Sequence, residues 1–199
     1  MIIEPALDKN GNRQWDVTTG PTTEPITTTE LKTFARIDGT EEDDFLEGVI
    51  QSVREAMERY LGRALLEQTI TLTMDYWPSM VIELPMPPLI SVTSVATLDE
   101  DDTATSYSSD NYYVRTTALP GQLVLKQSVS APYNTDRTYG GYRIIYVAGY
   151  GDEASDVPRA IRDSLLIWAS IIYETRTMTN EVPSEVVSLL ENSYRVYQI

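Results

Sequence analysis

The hydrophobic period of the chain changes sharply between residues 61 and 69, and that change limits what the chain can fold into. Before it, Leu46, Val49, Ile50, Val53, Met57, Tyr60 and Leu61 recur in steps of three and four, one continuous stripe along about five turns of an amphipathic helix. After it, Ile70, Leu72 and Met74 alternate with Thr69, Thr71 and Thr73, the pattern of a half-buried antiparallel strand with one wet face. A helical segment runs into a β segment, so an all-α or all-β fold is excluded.

The stripe belongs to the stretch GTEEDDFLEGVIQSVREAMERYLGRAL. With Thr40 as N-cap, Glu41, Glu42, Asp43 and Asp44 fill the first turn, where unpaired backbone N–H groups and the positive end of the helix dipole stabilise negative charge. The acidic run is therefore read as a helix start rather than as a site of chemistry. Gly62 stands where a left-handed residue ends a helix, with Arg59 and Arg63 near the negative end. Arg54 and Glu58, and Glu55 and Arg59, are spaced i,i+4 on the expected polar side. Upstream, Thr27 and Glu30 have capping-box spacing, and Ile26 and Leu31 occupy the positions of a hydrophobic staple. Leu31, Phe34 and Ile37 then mark a short apolar face. Residues 1–25 mix Gly, Pro, Asn and Thr without a helical period and are expected to form an irregular arm.

Further strands are expected at Val81 to Leu84, Ile90 to Leu98, Tyr112 to Arg115, Gln122 to Lys126 and Tyr142 to Ala148. They are short, separated by turns and lack helical connections, so their pairing should be antiparallel. LPMPPL cannot supply ladder donors at its prolines and reads as a bend, and the acidic DEDDTATSYSSD as an exposed hairpin tip or loop. Helix returns at SDVPRAIRDSLLIWASIIYETR, with Asp156 ahead of a proline suited to a first turn. Ile161, Leu165, Trp168 and Ile172 are flanked by Leu166, Ala169 and Tyr173, an arc wide enough to require burial in the core or against a neighbouring subunit. A final short helix should place Val186, Leu189, Leu190 and Tyr194 on one side. The expected fold class is α+β. A bundle of about four helices (26–66 and 155–199) carries an antiparallel β insertion (67–150) between its second and third helices.

The chemistry open to the chain is narrow. It has no cysteine and no histidine, which removes thiolate nucleophiles, cysteine–zinc sites and Ser-His-Asp or Cys-His catalysis. Its 30 acidic and 15 basic residues give a net charge of −15, a sign that repels phosphate backbones and anionic membranes. No apolar run reaches the roughly 20 residues of a membrane span, and MIIEPALDKNGNRQW has neither the basic nor the apolar region of a secretion signal; a soluble protein is expected. Asp99, Asp101, Thr103 and Asp110 can be laid over a calcium loop, but Ala104 stands where the turn needs glycine and no closing Glu is present. YGGYR and AGYGDE lack phosphate-loop spacing and its lysine. No catalytic, metal or cofactor site is assigned. Thirteen tyrosines against two phenylalanines suit wet protein interfaces, although Tyr112, Tyr113, Tyr142, Tyr146 and Tyr150 equally suit half-buried sheet positions.

Four motifs in order, EPITTTELKTFARID, YLGRALLEQT, LPMPPLISVTSV and YVAGYGDEASDVPRAIRDSLLIWASIIYETR, resemble the head-to-tail connector, or adaptor, proteins of long-tailed bacteriophages and gene transfer agents. The likeness spans about residues 24 to 176 and leaves out the N-terminal arm and the acidic loop at 99–110. It implies a non-enzymatic virion protein, made in the host cytoplasm, that assembles in the neck as a ring of typically twelve copies between the portal and a stopper or tail-completion protein. It also implies that the C-terminal segment, here Tyr194, Arg195, Val196, Tyr197, Gln198 and Ile199, docks on the portal. Trp168, Ile172, Tyr173, Arg176, Tyr112 and Tyr113 are candidate subunit or partner contacts.

Charge suggests how such a ring would work. Carboxylates such as Asp99, Glu100, Asp101 and Asp102 lining its lumen would not hold the phosphates of passing DNA, so the duplex would slide through without specific binding. The isolated chain is expected to be monomeric if ring contacts need the portal as template. The alternatives are a carboxylate- or metal-dependent hydrolase, and another neck component such as a stopper or tail-completion protein.

Overall fold

The computed structural model describes residues 13–133, 137–177, 181–190 and 194. The chain divides into two compact units: residues 21–66 with 150–199, and residues 1–20 with 67–149. The described residues make an α+β protein with four helices and antiparallel sheets, most strands lying between the second and third helices.

The first unit holds the helices, α1 (Thr28–Ala35), α2 (Asp43–Leu61), α3 (Arg159–Thr175) and α4 (Ser184–Leu190). The expected capping box closes α1: the Thr27 hydroxyl accepts from the Glu30 N–H at 3.1 Å, and the Glu30 carboxylate accepts from the Thr27 N–H at 2.8 Å. Ile26 and Leu31, the staple pair, are both buried in the bundle core. Phe34 departs from expectation. It is 50% exposed, because α1 is only eight residues long and turns out through left-handed Arg36 before a second apolar row could face inward.

Helix α2 begins two residues later than Thr40 predicts. Glu42 is its N-cap and makes no capping bond, since its carboxylate is held from α3 by the Tyr173 hydroxyl and Arg176. Only Asp43 and Asp44 of the acidic run lie in the first turn, and Asp43 pairs with Lys32. The stripe from Leu46 to Leu61 is buried as expected, and Gly62 ends the helix at φ 65°. The Arg54–Glu58 pair forms, yet it is buried rather than solvated, with 6% and 4% exposure. Glu55 bonds Gln51 and approaches Arg54 instead of Arg59. On α3, Pro158 is the N-cap, and Asp156 closes a preceding 3-10 turn with Glu153. The wide apolar arc of α3 is covered within the bundle: Ile161, Leu165, Leu166, Trp168, Ala169 and Ile172 share one core with α1, α2 and α4. On α4, Val186 and Leu190 are buried while Leu189 faces out. No described helix is long and apolar enough to cross a membrane.

Among the described residues the second unit holds eight strands. Five form one sheet in the order β1 (Arg13–Thr19), β2 (Gln68–Met74), β8 (Tyr142–Ala148), β4 (Leu89–Leu98) and β5 (Ala104–Ser106). Three form a second sheet in the order β3 (Val81–Leu84), β7 (Gly121–Leu125) and β6 (Tyr112–Arg115). All pairs are antiparallel.

The period-2 pattern sets the register. Ile70 faces Tyr146, Leu72 faces Ile144 and Met74 faces Tyr142 across β2 and β8, which puts their apolar side chains on one buried face. Over residues 13–19 strand β1 corrects the expectation of an irregular arm, of which residues 1–12 lie outside the described residues. Trp15 and Val17 pair opposite Leu72 and Ile70, so this segment extends the same apolar face at the sheet edge. Its ordering comes from that pairing, and a window read for helical period does not reveal it.

The two sheets approach each other at Gly121 of β7, where an added Cβ would lie 2.3 Å from the Leu89 Cβ; only glycine fits there. The Tyr146 hydroxyl, buried within the unit, donates to the Pro85 carbonyl at 2.9 Å. The edge of β3 is blunted. Ser79 Oγ accepts from the Val81 N–H and donates to its carbonyl, and the Arg13 guanidinium donates to the Glu83 carbonyl. Groups so occupied are poor templates for another strand.

Candidate functional site

Most ion pairs among the described residues lie in the bundle, and four of them join separate segments: Lys32–Asp43, Arg54–Glu24, Arg162–Glu30 and Arg176–Glu42. Arg54 on α2 donates to Glu24 at 2.8 Å and to Glu58 at 3.0 Å, with Glu55 at 3.7 Å. Burial alone would disfavour the guanidinium, but Glu58 and Glu24 outweigh it and hold the charge more firmly than usual. Burial dominates at Glu24, whose carboxyl is raised above its ordinary value despite Arg54. Glu58 also accepts from the Leu65 N–H at 2.8 Å, which fixes the chain as it leaves α2.

A clasp joins α3 to the start of α2. Glu42 accepts from the Tyr173 hydroxyl at 2.7 Å and from Arg176, whose guanidinium lies 4.6 Å from the ring centres of both Phe45 and Tyr173. Hydrogen bonds from Tyr173 and then Arg176 lower the Glu42 carboxyl. Glu30 is bound by Arg162, which also donates to the Pro25 carbonyl at 2.9 Å. Burial pushes the Glu30 carboxyl up, but the bonds from Thr27 together with Arg162 leave it lowered.

A third contact anchors the root of the C-terminal segment. Arg63, which is buried, donates through Nε to the Tyr194 carbonyl and through Nη1 to the Tyr150 hydroxyl at 3.2 Å. Tyr194 itself packs against the bundle core. Arg195, Val196, Tyr197, Gln198 and Ile199 lie outside the described residues.

The candidate contacts fall into two groups. Trp168, Ile172 and Tyr112 are 1%, 4% and 8% exposed, so their burial is accounted for inside one chain. Tyr113 remains 60% exposed with Lys126 over its ring, and Tyr173 and Arg176 form the clasp. The acidic tip is the turn of the β4–β5 hairpin. Asp99 Oδ1 accepts from the Asp101 and Thr103 N–H groups at 3.0 and 2.7 Å, which orders the turn; Asp102 sits at φ 61° and pairs with Arg137. The Asp99 carboxylate is thus committed to backbone, and Glu100 and Asp101 project from the turn as exposed residues.

Beside α2 the bundle also has a groove of about 900 Å³ whose lining includes Glu24, Asp44, Glu47, Gly48, Ile50 and Glu153. The groove went unread in the sequence. Its available signal was Gly48, an isolated glycine inside a strong helical pattern. Among the described residues no group of three or more carboxylates is placed to hold a metal ion.

These elements define a class: an α+β chain whose polar clusters fasten the helices of its bundle to one another. The signature described as "Phage gp6-like head-tail connector protein" matches residues 25–120, from the lead into α1 to the turn before β7. Over those residues, just under half of the chain, the sequence is similar to this family of head-tail connectors.

No curated protein matches the sequence. Solved structures share the fold. A chain from the virion of a native gene transfer agent particle superposes with TM-score 0.76 at 19% identity, covering 93% of this chain and 96% of that one. A chain from the neck of an empty particle of that kind, computed with C6 symmetry, gives 0.79 at 19% identity with the same coverage. One from the neck of the native particle, computed with C12 symmetry, gives 0.65 at 19% identity, covering 92% and 97%.

Proposed function

We propose that the protein works in the neck of a virion as one subunit of a ring, twelve copies in number, between the portal and a stopper or tail-completion protein, and that DNA passes through the ring. The observation that carries this reading is the family match over 25–120 joined to a fold shared along nearly the whole chain with a chain from a particle neck computed with C12 symmetry. The portal contact is assigned to Tyr194 and the residues that follow it. Arg63 and Tyr150 hold the root of that segment on the bundle, so a docked tail would transmit its position to the helices. Tyr113 and Arg176 are assigned to subunit or partner contacts.

The lumen is assigned an acidic lining that includes the Asp99–Asp102 tip. With a net charge of −15, the ring would repel phosphates and let the duplex slide. Electron microscopy of portal rings incubated with the purified chain tests the assembly directly. Added density with ring symmetry on the portal is expected, and it should disappear when residues 195–199 are deleted. Portal rings that stay bare with the full chain would overturn the reading. Sedimentation of the chain alone should show a monomer.

A further inference from the structure

The second sheet leaves an apolar row uncovered. Ile82, Leu84, Tyr112, Leu123 and Leu125 are buried, so the alternate residues of β3, β7 and β6 share the opposite face. Register sets them in two rows across the sheet: Val81, Val124 and Tyr113 in one, Glu83, Gln122 and Arg115 in the other. The polar row is closed by hydrogen bonds, Gln122 donating to Glu83 at 3.4 Å and Arg115 to Gln122 at 2.9 Å. The apolar row is open, with Val81 40% and Tyr113 60% exposed. Strand β2 fills its half-buried positions with Thr69, Thr71 and Thr73 instead, as suits a face that meets water.

The row runs out to β6, which pairs on one side only among the described residues. Ser79 and Arg13 blunt the edge at β3, whereas no such bonds are found along β6. An open edge beside exposed apolar side chains is a contact surface, and a helix laid over it is one of the usual covers. The charge here is also opposite to that of the chain. Arg115 and Lys126, the latter 5.1 Å from the centre of the Tyr113 ring, have no carboxylate partner among the described residues, in a protein of net charge −15.

We infer that this face seats a second copy of the chain through that copy's α1. Among the described residues the bundle exposes two large apolar side chains, Phe34 and Leu189, each 50% exposed, and Leu189 leads into the segment already assigned to the portal. Phe34 is followed by the exposed carboxylates Asp38, Glu41 and Asp44, which outnumber Arg36, the cation of that stretch without a described carboxylate partner. Phe34 set on the Val81–Val124–Tyr113 row, with those carboxylates toward Arg115 and Lys126, gives an apolar centre with a complementary charged rim. The two surfaces differ, so the contact is head-to-tail and can repeat from copy to copy until a ring closes. The inference rests on the ring reading for the presence of a neighbouring copy.

The chain has no cysteine, so single-cysteine variants cross-link without background. Full-length Gln122→Cys and Thr33→Cys chains, which keep Tyr113 and Phe34, are mixed under mild oxidation on portal rings and, separately, at high concentration without portal. The mixed disulfide should form about tenfold or more faster than one between Gln122→Cys and Ser188→Cys chains, because thiols held at one contact meet at a raised effective concentration. Tyr113→Asp or Lys126→Glu, added to the Gln122→Cys chain, should remove that preference, and salt should reduce it. Equal rates for the two mixtures in both settings would overturn the inference, as would a Gln122→Cys chain that links mainly to itself. Portal capping is scored separately with the unmodified chain. Bare portals with the preferred disulfide intact would sink the portal assignment alone, and capped portals without it would sink this contact alone.

Discussion

Arg54 is the residue on which the most charge converges. Its guanidinium is bonded to Glu24 and Glu58 in a site where both Arg54 and Glu58 are nearly inaccessible. Arg54→Ala would leave the Glu58 carboxylate buried without its cation, a loss of about 3–5 kcal/mol for a broken buried pair. Chemical denaturation should show that drop, and Arg54→Met with Glu58→Gln should recover part of it. Phe34→Ser, at a residue half exposed, should change stability by no more than about 0.5 kcal/mol. Spacing in the sequence revealed the Arg54–Glu58 pair but placed it on a solvated face. The period marks where a helix turns, and burial depends on what the rest of the chain lays over that face.

At the scale of elements, helix ends were the most legible feature. The Thr27–Glu30 box and the Gly62 terminator are local, each set by a few neighbouring residues and their backbone angles. Thr27→Ala should therefore destabilise the bundle by about 1 kcal/mol, read as a lower denaturation midpoint with unchanged slope. Gly62→Ala, at φ 65°, should lose about 1–2 kcal/mol from left-handed strain. The start of α2 misled because Glu42 is claimed by Tyr173 and Arg176, 131 and 134 residues away. Strand β1 was missed for a related reason, since its partner β2 follows only after both α1 and α2.

Over the whole molecule, the lowered Glu30 and Glu42 carboxyls set an acid limit. Each has a folded-state value below its ordinary 4.5, so the stability it contributes is present above that pH and is lost as pH falls through the lowered value. Glu24, raised in the fold, acts in the opposite sense. Thermal unfolding followed from pH 7 downward should hold steady until about pH 4.5 and then decline. The gap between the wild type and Glu30→Gln should close over the same interval; a gap that persists well below it would contradict the assignment.

Hydrophobic period, caps and the absence of cysteine and histidine determined by themselves the α+β class, the start of α1, the end of α2 and the want of ordinary catalytic chemistry, because each depends on residues adjacent along the chain or on simple counts. Tertiary structure alone decided that Arg54 is buried among carboxylates, that Glu42 clasps α3, that Arg63 holds Tyr194 and that Gly48 opens on an acidic groove. Those features arise where distant segments meet, and the energy of a buried charge is set by what surrounds it rather than by its neighbours in the sequence.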